Sequence, residues 1–166
     1  PQDVSRLLCA DALKRLRSRY HDKPSDPVAL LSRSSIQAMY SQSSDLLEEM
    51  MSEFYSPQKF ARDQDFDQFA RDREQIVIAL LAARMGNRRM HLALHLYWGL
   101  MVGLSPQEIA HRLLFISFYS GIDTLTSALE TFSAVLNKLQ GLTDAARSDE
   151  ALEPRAIMGE LAALFP

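Results

Sequence analysis

Cysteine is almost missing from this 166-residue chain. Its one thiol, Cys9, excludes an internal disulfide and any C-x-x-C redox pair within the sequence. A disulfide-free chain fits a reducing compartment, so a cytoplasmic protein is expected. Excess positive charge is missing too: 18 basic against 21 acidic residues leave a net charge of −3. That argues against the basic stripe with which proteins grip DNA or RNA, although a small anion needs only a local cluster. No apolar run reaches the roughly 18 residues of a membrane span. The start, "PQDVSRLLCADALKRLRSRY", lacks the continuous apolar core of a signal peptide.

What remains is ordinary for a soluble globular protein, with 47% hydrophobic and 23% charged residues. The length fits one domain with a real core. Only six glycines interrupt a pattern that is helical nearly throughout. The expectation is a single all-α domain over residues 1–166, with about six to eight helices.

Val4, Leu7, Leu8, Leu16 and Tyr20 mark an amphipathic first helix, ending before the turn-rich "HDKPSDP". A second helical region, "SSIQAMYSQSSDLLEEMMSEFY", spaces Leu46, Leu47, Met50, Met51 and Phe54 as a core or subunit-interface stripe. "SPQKFARDQD" follows as a long loop or lid. "DREQIVIALLAARMG" reads as a strongly buried helix stopping at Gly86. Asn87 is a natural cap for the next helix, which runs from Arg88 to about Val102 and is closed by Gly103. In "SPQE", Ser105 is a cap, Pro106 suits the first helical position and Glu108 completes a capping box. The helix that follows, "IAHRLLFISFY", is apolar on nearly all sides and is expected at the centre of the fold. Gly121 breaks it, and Asp123 can cap the next helix. There Leu125, Ala128, Leu129, Phe132, Val135, Leu136 and Leu139 form an apolar stripe. "GLTDAARSDEALEP" is a surface connection, and "PRAIMGELAALF" a short final helix.

The chemistry concentrates on the helix from Arg88. Steps of three and four put Arg88, His91, His95, Trp98 and Val102 on one face. Arg-His-His-Trp resembles a pocket wall more than a solvated helix face. Arg88 and Arg89 stand in a first turn, where the helix dipole disfavours cations and free N–H groups attract an anion. The plain alternative is two solvated arginines. His91 and His95 have metal-ligand spacing, but "LALH" lacks the glutamate of H-E-x-x-H, and no third ligand is obvious beyond Glu74 or His111. A structural role suits His91, and acid–base work suits His95. Glu74 is either a solvated residue near a helix start or a pocket acid, and the residues alone favour the solvated position. Tyr119 is most simply a core tyrosine with a satisfied hydroxyl. "SPQEIAHRL" also mimics a helix-turn-helix start, but "LLFISFY" is too apolar to face a groove.

The ordered set "REQIVIALLAARMG", "HLALHLYWGLMVGLSPQEI" and "LLFISFYSGIDTLTSALETFSAVL" resembles the carboxymuconolactone decarboxylase family, which includes alkyl hydroperoxidase D-like proteins. The likeness covers about residues 70–138, with helices of residues 1–56 before it and a C-terminal helix of about residues 154–165 after it. It implies an all-α scaffold that assembles as homo-trimers or hexamers, working without a cofactor or metal. The implied chemistry is that of a lyase in aromatic metabolism, which opens the way from 4-carboxymuconolactone to an enol lactone. Thiol peroxidase activity is not expected, because "NRRMHLALH" stands where that branch carries its C-x-x-C pair. His95 matches the family histidine, and Glu74 falls near the acid position. Decarboxylases tend to carry arginines two residues either side of that histidine, where this chain has Ala93 and Tyr97. The proline usual after "YxG" is Asp123 here. The resemblance therefore implies His95, His91 and Glu74 as catalytic residues. Arg88, Arg89 (or Arg84), Trp98 and Tyr119 would bind a small cyclic or unsaturated carboxylate or lactone. An isomerase, dehydratase or cyclase on the same scaffold, or a non-catalytic binding or assembly protein, are the alternatives.

Overall fold

A computed structural model describes residues 4–22, 66–84 and 88–165. Within these the chain is all-helical. After a 3-10 turn at Val4–Arg6 come α1 (Ala10–Asp22), α2 (Phe66–Ala83), α3 (Arg89–Met101), α4 (Pro106–Ser120) and α5 (Ile122–Ala145). A second 3-10 turn at Asp149–Ala151 leads into α6 (Pro154–Ala162). The expected helix bearing Leu46, Leu47, Met50, Met51 and Phe54, the "SPQKFARDQD" loop, the Gly86 stop and the Asn87 cap lie outside the described residues.

The organising element is α3, which touches all five other described helices. Its composition suits that place. Every residue from Leu92 to Met101 is buried except His95, and Ala93, Leu96, Tyr97, Leu100 and Met101 are wholly inaccessible. Around it pack Leu16 of α1, Ile78 of α2, Phe132, Val135 and Leu136 of α5, and Ile157 and Leu161 of α6. Each fully buried aliphatic or aromatic side chain contributes about 1.5–3 kcal/mol relative to exposure.

The polar ends of α3 and α5 are closed by arginines of α1, a role the sequence pattern did not disclose. A helix leaves its last carbonyls without intrahelical partners. Arg17 donates to the carbonyls of Leu100 and Leu104 at 2.8 and 2.9 Å, and Arg15 to those of Thr143 and Ala146 at 3.0 and 3.4 Å. The opposite face of α1 carries Ala12, Leu13, Leu16 and Tyr20 into the core, so one short helix both fills and caps. The first segment is not one continuous helix, however: Leu8 is buried ahead of a break, and the Cys9 sulfur accepts from the Ala12 N–H at 3.4 Å at the start of α1.

The α3–α4 connection matches the sequence signals closely. Gly103, at φ +106°, ends α3. The Leu104 N–H reaches the Gly99 carbonyl and the Gly103 N–H that of Leu100, the paired bonds of a Schellman turn. Ser105 and Glu108 form the full capping box: the Ser105 hydroxyl accepts from the Glu108 N–H at 3.1 Å, and the Glu108 carboxylate from the Ser105 N–H at 2.7 Å. The Ser105 backbone N–H first, and its hydroxyl second, hold the Glu108 carboxyl below its usual range.

Two expectations are corrected. α4 is peripheral, not central: only Pro106, Ile109 and Leu113 are buried, while Phe115, Phe118 and Tyr119 are 60%, 78% and 82% exposed. An apolar helix satisfies the same sequence pattern whether its outer face meets core or solvent. α2 is likewise open on one side, at Ile76 and Leu80. Second, Asp123 does not cap α5. That position is Gly121 at φ +89°, with Asp123 inside the first turn. Elsewhere the α5 stripe is buried as expected, except that Leu129 is half-buried, and the helix runs on through "GLTDA".

The capping box predicts a measurable loss. Ser105→Ala should destabilise the fold by about 1 kcal/mol, read as a lower urea midpoint with an unchanged slope.

Candidate active site

α2 and α3 lie side by side, and their contact is where acid and imidazole meet. α2 starts at Phe66, eight residues before Glu74, so Glu74 is an interior helix residue and not a solvated N-terminal one. Its side chain is 0% exposed, which overturns the solvated position. A carboxylate in such a place costs several kcal/mol unless it is paired and hydrogen-bonded. Both oxygens are engaged. Oε2 is 2.8 Å from His95 Nδ1, and Oε1 accepts from Arg73 Nε at 2.9 Å. Arg73 is itself buried, 5% exposed, so cation, carboxylate and imidazole form one enclosed chain of contacts.

The close approach depends on a missing side chain. Gly99 follows His95 by one turn on the same face of α3. A Cβ there would stand 2.9 Å from Ile78 Cδ1, 3.1 Å from Leu104 Cδ1 and 3.8 Å from Glu74 Cβ. The first two distances lie inside ordinary packing contact. The bare backbone therefore lets α2 settle near enough for Glu74 to reach its partner.

The His95 ring meets Trp98 edge-on, with centroids 4.8 Å apart and planes at 86°. Its side chain keeps 13% exposure. A carboxylate accepts only, so in a bond to the ionised Glu74 it is His95 Nδ1 that donates. His91 stands one turn earlier on α3. Its Nδ1 is buried without a hydrogen-bond partner. Burial first, then the neighbouring His95 and Arg88, push its pKa below the ordinary 6.5. Among the described residues, no three His, Cys, Asp or Glu side chains gather as a metal-binding group.

The remaining expected residues are dispersed. Arg89 turns to α5, donating to Thr131 Oγ1 at 3.0 Å and Glu130 Oε2 at 3.3 Å, with its guanidinium 5.1 Å from the Phe165 ring centre. Arg88 and Arg89, with Arg84, line a cavity of about 80 Å3 between the end of α2, the start of α3 and α5. His95 is not among the residues lining it. Tyr119 is neither a core residue nor a neighbour of the pair. It stands on the outer side of α4 against Phe115, over a groove of about 650 Å3 shared with α2.

Two residues of the site escaped the sequence reading. Arg73 lies beside Glu74 in the chain, and adjacent helix positions ordinarily face different ways. Gly99 was visible as a glycine within an apolar helix, where the roughly 1 kcal/mol propensity cost is itself a signal of close packing. Comparison with protein-family models, curated proteins and solved structures found no match. Among the described residues, no helix is long and apolar enough to cross a membrane.

His91 gives the site a pH signature. The folded state resists protonating it, so the unfolded chain takes up that proton first. Its contribution is intact above about 6.5 and is lost as pH falls through that value towards the lowered folded one. Thermal unfolding from about pH 7.5 to 5.5 should show a smaller drop in Tm for His91→Gln than for the parent chain.

Proposed function

We propose that this chain is a cofactor-free acid–base enzyme on a carboxymuconolactone decarboxylase-like helical scaffold. Its substrate is a small cyclic or unsaturated carboxylate or lactone. The observation that carries this reading is the enclosed contact of Glu74 with His95 Nδ1, which leaves Nε2 as the one ring atom free to exchange a proton. The order of helix-forming segments along residues 70–138 supports the scaffold, and the single cysteine suits a cytoplasmic, thiol-independent reaction.

The chemistry divides among few groups. Glu74 fixes the tautomer of His95 and stabilises the imidazolium formed when Nε2 takes a proton. Arg73 holds the other Glu74 oxygen from the far side. Trp98 walls the ring on one side and restricts its rotation. On an unsaturated carboxy-lactone, the C–C bond to the carboxylate breaks. Its electron pair passes into the conjugated lactone carbonyl, CO2 leaves, and a proton that Nε2 of His95 has taken up from solvent passes to the dienolate at carbon. Isomerisation would use the same atom without the loss of CO2.

A non-catalytic binding protein is the rival reading, favoured by one observation: neither cavity described above is lined by His95. Turnover separates the two. With 4-carboxymuconolactone as probe and NMR as readout, the parent chain should release CO2 or isomerise the ring. His95→Gln should lower the rate about 100-fold or more, and Glu74→Gln should lower it with CD showing the fold retained. Equal rates for parent and His95→Gln would remove His95 from the mechanism.

The reading includes self-assembly. Ile76, Leu80, Phe115, Phe118, Tyr119 and Ile122 form an exposed apolar surface, and Asp72 and Arg112 bring both charge signs to the same groove. A surface with apolar area and both signs suits a second copy of itself. Sedimentation should find a trimer or hexamer for the parent chain and a shift towards monomer for Phe118→Glu. A monomeric parent chain would refute it.

A further inference from the structure

Three exposed arginines border one small cavity, although the net charge of the protein gives no reason for them. Arg84, Arg88 and Arg89 line the cavity at the start of α3, together with Thr124, Ser127 and Thr131 of α5. Of the three, only Arg89 pairs with a carboxylate among the described residues, that of Glu130. The side chains of Arg84 and Arg88 have no ion-pair or hydrogen-bond partner among the described residues. Two positive charges thus stand uncompensated around one small space. Arg88 and Arg89 also open a helix with no side-chain cap, the end at which the dipole already repels cations.

We infer that this cavity is a binding site for a small doubly charged tetrahedral oxyanion of the phosphate type, separate from the Glu74–His95 pair. Charge sets the first condition, since two unneutralised guanidinium groups are balanced by a dianion and not by a monocarboxylate. Geometry sets the second. Guanidinium forks bind phosphate oxygens through paired N–H donors, and the exposed Ser127 hydroxyl adds a rotatable one. Size sets the third. A cavity of about 80 Å3 holds several times the space needed by one water, yet is far below the roughly 300–1,000 Å3 of sites for larger organic ligands. The wall has a built base: Thr131 is fully buried, and its oxygen donates to the Ser127 carbonyl while accepting from Arg89. Among the described residues that line the space there is no histidine or carboxylate.

Inorganic phosphate is the probe. At constant ionic strength it should raise the Tm saturably, by about 2–4 °C once its concentration exceeds Kd several-fold, with chloride as the reference. Calorimetric titration should give a single site. Arg84→Ala combined with Arg88→Ala should abolish the shift and the heat, while CD confirms the fold. His95→Gln should leave both unchanged, which keeps this outcome independent of the catalytic reading. An equal Tm in phosphate and chloride overturns the proposal, as does a shift that survives in the double variant. Stabilisation by acetate or succinate without stabilisation by phosphate would overturn the assigned ligand class.

Discussion

A carboxylate removed entirely from water dictates the arrangement around it. Glu74 has no access to solvent, so its charge has to be met inside the protein. Arg73 and His95 meet it, one oxygen each. Breaking such a set by removing one partner is worse than never having built it, because the others are left stranded. The site is therefore held as a unit. The position of α2 against α3, the bare backbone at Gly99 and the orientation of the His95 ring all serve one electrostatic requirement.

The rest of the fold holds α3 still. Its flanks are packed by five helices, and its C-terminal carbonyls are held by Arg17 from α1 and by the glycine turn at Gly103. Arg71 of α2 reaches the Gly103 carbonyl at 3.2 Å and Glu108 of α4 at 3.0 Å, tying the helix that carries the acid to the end of the helix that carries the base. The N-terminal end of α3 is different. It has no side-chain cap, and its arginines crowd a cavity. One end of the central helix is closed by side chains of other helices, and the other has no side-chain cap.

Local signals were the legible ones. Ser105, Pro106 and Glu108 announced the start of α4, and the spacing of Leu125 through Leu139 announced the buried face of α5. Of Arg88, His91, His95 and Trp98, which shared a face on the wheel, His95 and Trp98 meet ring to ring, and Arg88 is the cap residue ahead of α3. The burial of Glu74 was not legible, because it depends on where α2 begins, and nothing in "DREQIV" shows that the helix starts at Phe66. The place of α4 was misread for a related reason: a side chain such as Phe118 gives the same pattern whether it faces core, partner or water. The division of the arginines was equally hidden. Arg88 and Arg89 are consecutive, and only the packing of α5 sends one to Glu130 and leaves the other unpaired.

The joint between α4 and α5 has a mechanical consequence. A single residue, Gly121, separates two long helices, and no atom lies within 4 Å of where its side chain would be. Its backbone is fixed by conformation and not by crowding. Thr124 then ties back across the joint to the Ser120 carbonyl at 2.9 Å. There is no slack of loop to absorb a tilt. The first turn of α5 carries Thr124 into the wall of the arginine-lined cavity. One residue of backbone thus separates the helix bearing the exposed Phe118 and Tyr119 from the turn that borders that cavity.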